Sequence, residues 1–248
     1  MKLIVANWKM YLTLRESIAL ANKVTRYTLH VTRYTIVLCP SFVAMEEVAK
    51  VIKGTQIKLG AQDVEPEKRG AYTGEVGLDD LRELGVEYVL VGHSERRRMG
   101  ETDKLVNQKL KAVLKSGMRP ILCVGESWKI RRSGKARGYV ADQLRAGLKS
   151  VTQKDLKRVV VAYEPIWAIG TGRPDTPKDA SEMHMWIQKI IRDISIFANK
   201  NRDVPILYGG SVNAKNAGTF LRAPGVDGLL IGRASTQATE FAHIIRSA

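Results

Sequence analysis

The sequence predicts a closed (β/α)8 barrel, eight parallel strands ringed by helices, in a single domain spanning residues 1–248. Eight short apolar runs recur along the 248 residues. They are continuous rather than alternating in polarity, as strands buried on both faces are. Segments of helical period separate them, and an alternating β and α order demands a parallel sheet. Two architectures share that order. The open doubly wound sheet of a dinucleotide fold carries GxGxxG after its first strand, which is missing here, and eight units in about 250 residues fit the closed barrel.

The runs are LIVA (3–6), IVLC (36–39), IKLGA (57–61), YVLVG (88–92), ILCVG (121–125), VVVAY (159–163), PILYG (205–209) and GLLIG (228–232). Helical patterns follow them at 13–27, 42–52, 78–84, 102–117, 137–150, 176–199, 214–222 and 236–246. In 102–117, Thr102 can cap, Val106, Leu110, Val113 and Leu114 form one apolar stripe, and Gly117 stands at the end before Pro120. The segment 176–199 opens with Thr176 as cap, Pro177 at the first helical position and Asp179 facing the positive helix end. No Pro/Ser-rich linker divides the chain. A local repeat, VTRYT at 24–28 and 31–35, is too short to be a structural period.

Composition narrows the class. Hydrophobic residues make up 44% of the chain, enough for a substantial core. No stretch reaches the roughly 18 to 20 apolar residues of a membrane helix, and MKLIVANWKM has too few for a signal-peptide core. The expectation is a cytoplasmic protein with no membrane partner. Cys39 and Cys123 lie in apolar runs and read as core thiols, not as a disulfide framework or metal site. The net charge of +15 attracts phosphates of any kind. Its densest run, KIRRSGKAR at 129–137, has no interleaved aromatic to stack on bases, so it reads as a solvated loop and helix start, and no nucleic acid is expected as partner.

In a barrel of this kind the residues just after each strand build the site. After the first run come Asn7, Trp8 and Lys9; after the fourth, Gly92, His93, Ser94, Glu95 and Arg96; after the sixth, Glu164. The seventh is followed by Gly209-Gly210-Ser211 and the eighth by Gly232-Arg233-Ala234-Ser235. Singly, each has an ordinary structural reading. Jointly they suit proton transfer beside a carbonyl on a phosphorylated substrate. Glu164, joined to a loop that starts at Pro165 and ends in Gly-Thr-Gly, would be a general base beneath a lid. His93, ahead of a helix start, would be kept neutral by the positive helix end and could donate to an oxyanion. Lys9 offers fixed positive charge, and the two glycine-rich turns offer N–H groups for a phosphate. Nothing in the sequence resembles a metal cluster, a catalytic Ser-His-Asp set or a cofactor lysine, so neither metal nor cofactor is expected.

The motifs NWKM (7–10), GAQDV (60–64), AYTGE (71–75), GHSERR (92–97), GETD (100–103), CVGE (123–126), AYEPIWAIGTG (162–172) and YGGSV (208–212) resemble the triosephosphate isomerase family, in order, from Lys2 to about Ser235. The resemblance implies a TIM barrel that interconverts dihydroxyacetone phosphate and D-glyceraldehyde 3-phosphate through an enediol(ate), without cofactor or metal. On the matching positions it implies Glu164 as base, His93 as neutral electrophile, Lys9 as charge stabiliser and Asn7 as its companion. Glu95 would support the lysine, and Ser94 would sit against the base when the lid, residues 165–175, is open. Gly170, Ser211 and Gly232 would present backbone N–H groups to the phosphate. One departure is Arg233, where the family usually has a second glycine; its backbone N–H would still be able to bind the phosphate, and its guanidinium would reach either the phosphate or, as favoured here, solvent or a neighbouring loop. The resemblance also implies a homodimer, with Thr73 at the tip of the third loop, and leaves a tetramer open. A barrel acting on a larger sugar or indole phosphate would share the phosphate logic without the paired GHSERR and AYEPIWAIGTG motifs. A non-catalytic basic barrel binding polyanions would not need Glu164, His93 and Lys9 together.

Overall fold

The computed structural model describes residues 2–28, 34–67, 69–169, 175–194 and 204–247. Its eight strands are β1 (Lys2–Asn7), β2 (Tyr34–Cys39), β3 (Lys58–Ala61), β4 (Val86–Val91), β5 (Arg119–Val124), β6 (Val160–Tyr163), β7 (Ile206–Tyr208) and β8 (Gly228–Ile231). Each pairs in parallel with the next, and β8 pairs with β1, so the sheet closes. All eight predicted strands are present, with ends that move by three residues or fewer. At the closure, a Cβ on Gly228 would lie 1.9 Å from the Leu3 carbonyl oxygen, so this position admits only glycine without backbone movement.

Alternation along each strand separates two apolar layers. Leu3, Val5, Cys39, Leu90, Cys123 and Ala162 belong to one cluster of buried side chains, the barrel interior. Their neighbours Ile4, Ala6, Leu38, Val89, Leu122 and Val161 belong to the larger cluster shared with the helices. Because both faces are covered, the strands have no solvated side, which is why the runs read as continuous. Both cysteines are buried free thiols, as expected, and burial raises their pKa.

The long helices follow the predicted caps. Thr102 accepts the N–H of Leu105 (3.3 Å) at the head of helix Asp103–Lys115. Thr176 accepts the N–H of Asp179 (3.0 Å) while its hydroxyl donates to the Asp179 carboxylate (2.8 Å), a reciprocal cap for helix Pro177–Ile194. Residues 195–199 of that prediction, and 31–33 of the second VTRYT copy, lie outside the described residues. Short elements without a sequence period also appear: helices Ser94–Arg98, Trp128–Arg132 and Gln153–Leu156, and 3-10 turns Ile166–Ala168 and Arg233–Thr236. They are too short for a window of about 11 residues to detect. The 129–137 run is therefore partly helical, and Arg131 is not solvated: it pairs with the buried Glu126 (3.3 Å) and lies over the Trp167 ring. No described helix is long and apolar enough to cross a membrane.

Candidate active site

Glu164 follows β6 directly, and its place is set by the neighbouring strand. Its N–H donates to the Val124 carbonyl (2.8 Å), which extends the β5–β6 ladder by one residue. The close approach needs Gly125, where a Cβ would fall 1.8 Å from the Glu164 carbonyl oxygen. The carboxylate that results is 2% exposed. One oxygen lies 3.0 Å from His93 Nε2, and the other accepts the Ser94 N–H at 2.9 Å.

His93 caps helix Ser94–Arg98, and its Nδ1 accepts the N–H of Glu95 (3.2 Å). An acceptor nitrogen carries no proton, so the ring proton stands on Nε2 and points at Glu164. Burial disfavours a charged ring; the Glu164 carboxylate favours it and holds the ring's pKa above its ordinary value. Burial likewise raises the Glu164 carboxyl, but His93, the Ser94 N–H and Lys9 outweigh it and hold the group below the usual range. The Glu164 carboxylate is the main influence raising the ring's pKa. Burial and the Glu95 N–H both favour the neutral form.

Lys9 stands two residues beyond β1 in a left-handed conformation, φ 50°. The Asn7 carboxamide oxygen accepts the Lys9 N–H (3.1 Å) and the Gln62 amide donates to its carbonyl (2.9 Å), which together hold a backbone costing about 1 kcal/mol or more. The ammonium reaches Glu95 at 2.8 Å. A chain of contacts thus runs Asn7, Lys9, Glu95, His93, Glu164, Ser94 across the ends of β1, β4 and β6. These six residues come from the rim positions that the sequence points to.

The glycine-rich turns close the other side. A Cβ on Gly209 would lie 3.1 Å from Glu164 Cγ, so the turn after β7 abuts the carboxylate, with Ser211 two residues on. Ser211 is half-buried, and its carbonyl accepts from the Asn216 amide (3.1 Å). A Cβ on Gly232 would lie 3.7 Å from Lys9 Nζ, which brings the turn after β8 beside the ammonium. Buried Ser235 donates to the Gly232 carbonyl (2.7 Å) and fixes that turn. Arg233 begins a 3-10 turn, has no positive φ, and its side chain is exposed without an ion pair among the described residues. The backbone therefore accepts a side chain where a glycine is usual. Gly170 lies outside the described residues, as do 171–174 of the lid. Thr73 is exposed in a loop closed at its base by the Glu65 N–H donating to the Val76 carbonyl (2.9 Å).

Sequence reasoning missed Glu126. It is fully buried and accepts from Tyr163 Oη (3.1 Å), Trp167 Nε1 (2.9 Å) and Arg131 (3.3 Å), so it ties the start of the lid to β5. Burial, reinforced by Glu126 and Asp175, pushes the Tyr163 hydroxyl well above the usual phenol range. The signal that finds Glu126 is the one that finds Glu164: a carboxylate closing an apolar run, here ILCVGE. Asp63, after β3, is a further rim acid. It pairs with buried Lys109 (2.6 Å) and with Arg96 (2.8 Å), a structural role for the first arginine of the triple. Among the described residues no group of three or more His, Cys, Asp or Glu side chains is disposed to hold a metal ion.

A model of the triosephosphate isomerase family matches residues 2–248. The chain is 42% identical over 247 residues to the triosephosphate isomerase of Aquifex aeolicus (strain VF5), covering 99% of each. It is 46% identical to that of Treponema pallidum (strain Nichols) and 45% identical to that of Thermoanaerobacter sp. (strain X514), each over 98% of both chains. A barrel with a glutamate, histidine and lysine on one rim, matched end to end by these relatives, belongs to the triosephosphate isomerase family.

Proposed function

We propose how this chain performs the aldose–ketose isomerisation of its family, interconverting dihydroxyacetone phosphate and D-glyceraldehyde 3-phosphate. Glu164 takes a proton from the carbon beside the carbonyl. The electrons move onto the carbonyl oxygen, where His93 Nε2–H donates to the growing charge and Lys9, supported by Glu95 and placed by Asn7, stabilises it. A proton then passes by way of His93 from the hydroxyl oxygen to the former carbonyl oxygen, and Glu164 returns its proton to the neighbouring carbon, so that a new carbonyl stands beside a new hydroxyl without net gain or loss. Ser94 holds the carboxylate before substrate arrives. Gly170, Ser211 and Gly232 present N–H groups to the phosphate, and Arg233 points away from it. The route uses the chain's own side chains and backbone N–H groups, with neither cofactor nor metal. A tightly held substrate phosphate makes chemistry at the adjoining carbons effectively intramolecular.

The observation that carries this reading is the buried Glu164 carboxylate in contact with both the His93 Nε2–H and the Ser94 N–H. Its test is the rate of triose phosphate interconversion for native protein and Glu164→Gln. A fall of about 1000-fold is expected, within the range for a general base. A native protein without activity, or a variant within about tenfold of native, a barrier change of about 1.4 kcal/mol, overturns it.

The same reading takes residues 1–248 as one barrel domain in a cytoplasmic protein that works as a homodimer. What supports the dimer is a set of exposed apolar side chains in the segments that follow successive strands: Met10 (94% exposed), Val43, Tyr72 and Met99 come after β1, β2, β3 and β4. Sedimentation is expected to give a dimer for the native chain and a lighter species for Thr73→Arg. A native monomer overturns the assignment.

A further inference from the structure

The positive charge of this protein is concentrated on one side of it. Residues 104–158 hold fifteen Lys and Arg against three Asp and Glu, a net +12, while the remaining residues hold twenty-five against twenty-two; of the fifteen, buried Lys109 is neutralised by Asp63 and Glu101 and adds nothing to the surface. Tertiary bonds gather this stretch into one surface. The Asn107 amide donates to the carbonyls of Gly147 (2.8 Å) and Lys149 (3.0 Å), joining helix Asp103–Lys115 to the end of helix Ala136–Gly147. The Arg158 guanidinium donates to the carbonyls of Leu114 (2.9 Å) and Met118 (2.7 Å), which brings the 153–158 segment to the same corner.

Lys104, Lys111 and Lys115 lie at helical spacing of seven and four, along one outward face. They are exposed, as are Lys149, Lys154 and Lys157, and none of the six makes an ion pair among the described residues. A cluster of unpaired like charges of this size is unfavourable by itself and is relieved by a polyanion. The run 129–137 forms the end of this surface nearest the catalytic rim, and it is bordered by aromatics: Trp128 is 45% and Tyr139 42% exposed. Arg137 and Lys189 also lie over the ring of Trp186, a residue of another helix. The expectation of no nucleic-acid partner rested on a run without interleaved aromatics. Folding supplies them from either border and from a neighbouring helix.

We propose that this face binds single-stranded RNA, its lysines tracking the phosphates and Tyr139 and Trp128 offering stacking platforms to bases. Exposed aromatics at a basic groove suit single strands, whose bases are free to stack. The lysine-lined remainder of the face exposes no large hydrophobic side chain that would enter a bilayer. Lys111, Lys115 and Lys149 lie toward the C-terminal ends of helices that run back from the catalytic rim, so their substitution leaves that rim intact, while Trp128, whose ring lies 5.6 Å from that of Trp167, marks where the face meets the start of the lid.

The experiment measures binding of an oligouridylate of about 12 nucleotides to the full chain between about 50 and 200 mM salt, a range over which phosphate contacts change affinity steeply. For about four neutralised phosphates the slope of log K against log salt is expected near −3. Lys111→Glu/Lys115→Glu/Lys149→Glu is expected to reduce its magnitude by about 2, at unchanged isomerase activity, which shows that the variant is folded. Tyr139→Ala is expected to weaken oligouridylate about fivefold or more and leave inorganic polyphosphate binding unchanged. No binding at low salt, an unaltered slope in the triple variant, equal effects of Tyr139→Ala on both ligands, or tighter binding to phosphatidylserine vesicles than to RNA each overturns the proposal.

Discussion

Two buried histidines occupy two regions of this barrel and end up as opposite tautomers. At the rim, His93 meets a helix start, where the Glu95 N–H must be accepted; Nδ1 gives up its proton and Nε2–H faces Glu164. In the wall, His184 of helix Pro177–Ile194 lies 2.9 Å from the Gly225 carbonyl, which can only accept, so Nδ1 keeps the proton. The His184 ring packs near Tyr163 and Tyr208, with Nε2 unpartnered among the described residues. Burial lowers its pKa to about 4, against a modest upward pull from Gly225. Burial alone therefore does not distinguish the two rings. What differs is the backbone group each meets, and whether a carboxylate stands on the far side of the ring.

The comparison is broken most forcefully at the rim. His93→Gln removes the Nε2–H aimed at the reacting oxygens and is expected to lower kcat by about 100- to 1000-fold, about 3 to 4 kcal/mol, with little change in Tm. A loss below about tenfold would make His93 as structural as His184.

The wall histidine is tested by pH. Its pKa is about 4 in the fold and near 6.5 when unfolded, so the unfolded chain binds the extra proton first. Its stabilising contribution is complete above about pH 6.5 and declines as pH falls toward 4. Urea unfolding at pH 7 and 4.5 is expected to show a loss of about 2 kcal/mol that His184→Gln lacks. Equal pH dependence in both proteins would refute a neutral buried ring.

The smallest effect is expected at the departure from the family pattern. Arg233 is exposed in an ordinary 3-10 conformation, so Arg233→Gly should change KM by less than about threefold, under about 0.7 kcal/mol. A tenfold change would place the guanidinium on the phosphate and sharpen the distinction between the two turns that hold it.

Much of this was legible beforehand because a parallel barrel writes itself in a local code. The runs around Val5, Val89 and Val161 are apolar on both faces, and the caps at Thr102 and Thr176 need only neighbours within three residues. The rim residues Glu164, His93 and Lys9 were legible for a similar reason: in this topology the residue after a strand is on the site. Glu126 obeys the same rule, but its role rests on Tyr163 and Trp167, which the fold brings to it from a distant strand and the turn after it. Gln62 donates to the carbonyls of Lys9, after β1, and of Cys39, at the end of β2, and no sequence spacing encodes such bonds.

From the sequence alone came the order of strands and helices, the identities of the rim residues and the total charge, all of which depend on side-chain type and spacing along the chain. Only the tertiary structure decided which nitrogen of His93 bears the proton, that Gly125 makes room for the Glu164 carbonyl, that Arg131 is drawn inward to Glu126, and that the excess lysines share one face. Each of these depends on groups brought together by barrel closure from strands or helices distant in the chain. Distances through space set hydrogen bonds and charge clusters, and a linear pattern does not contain them.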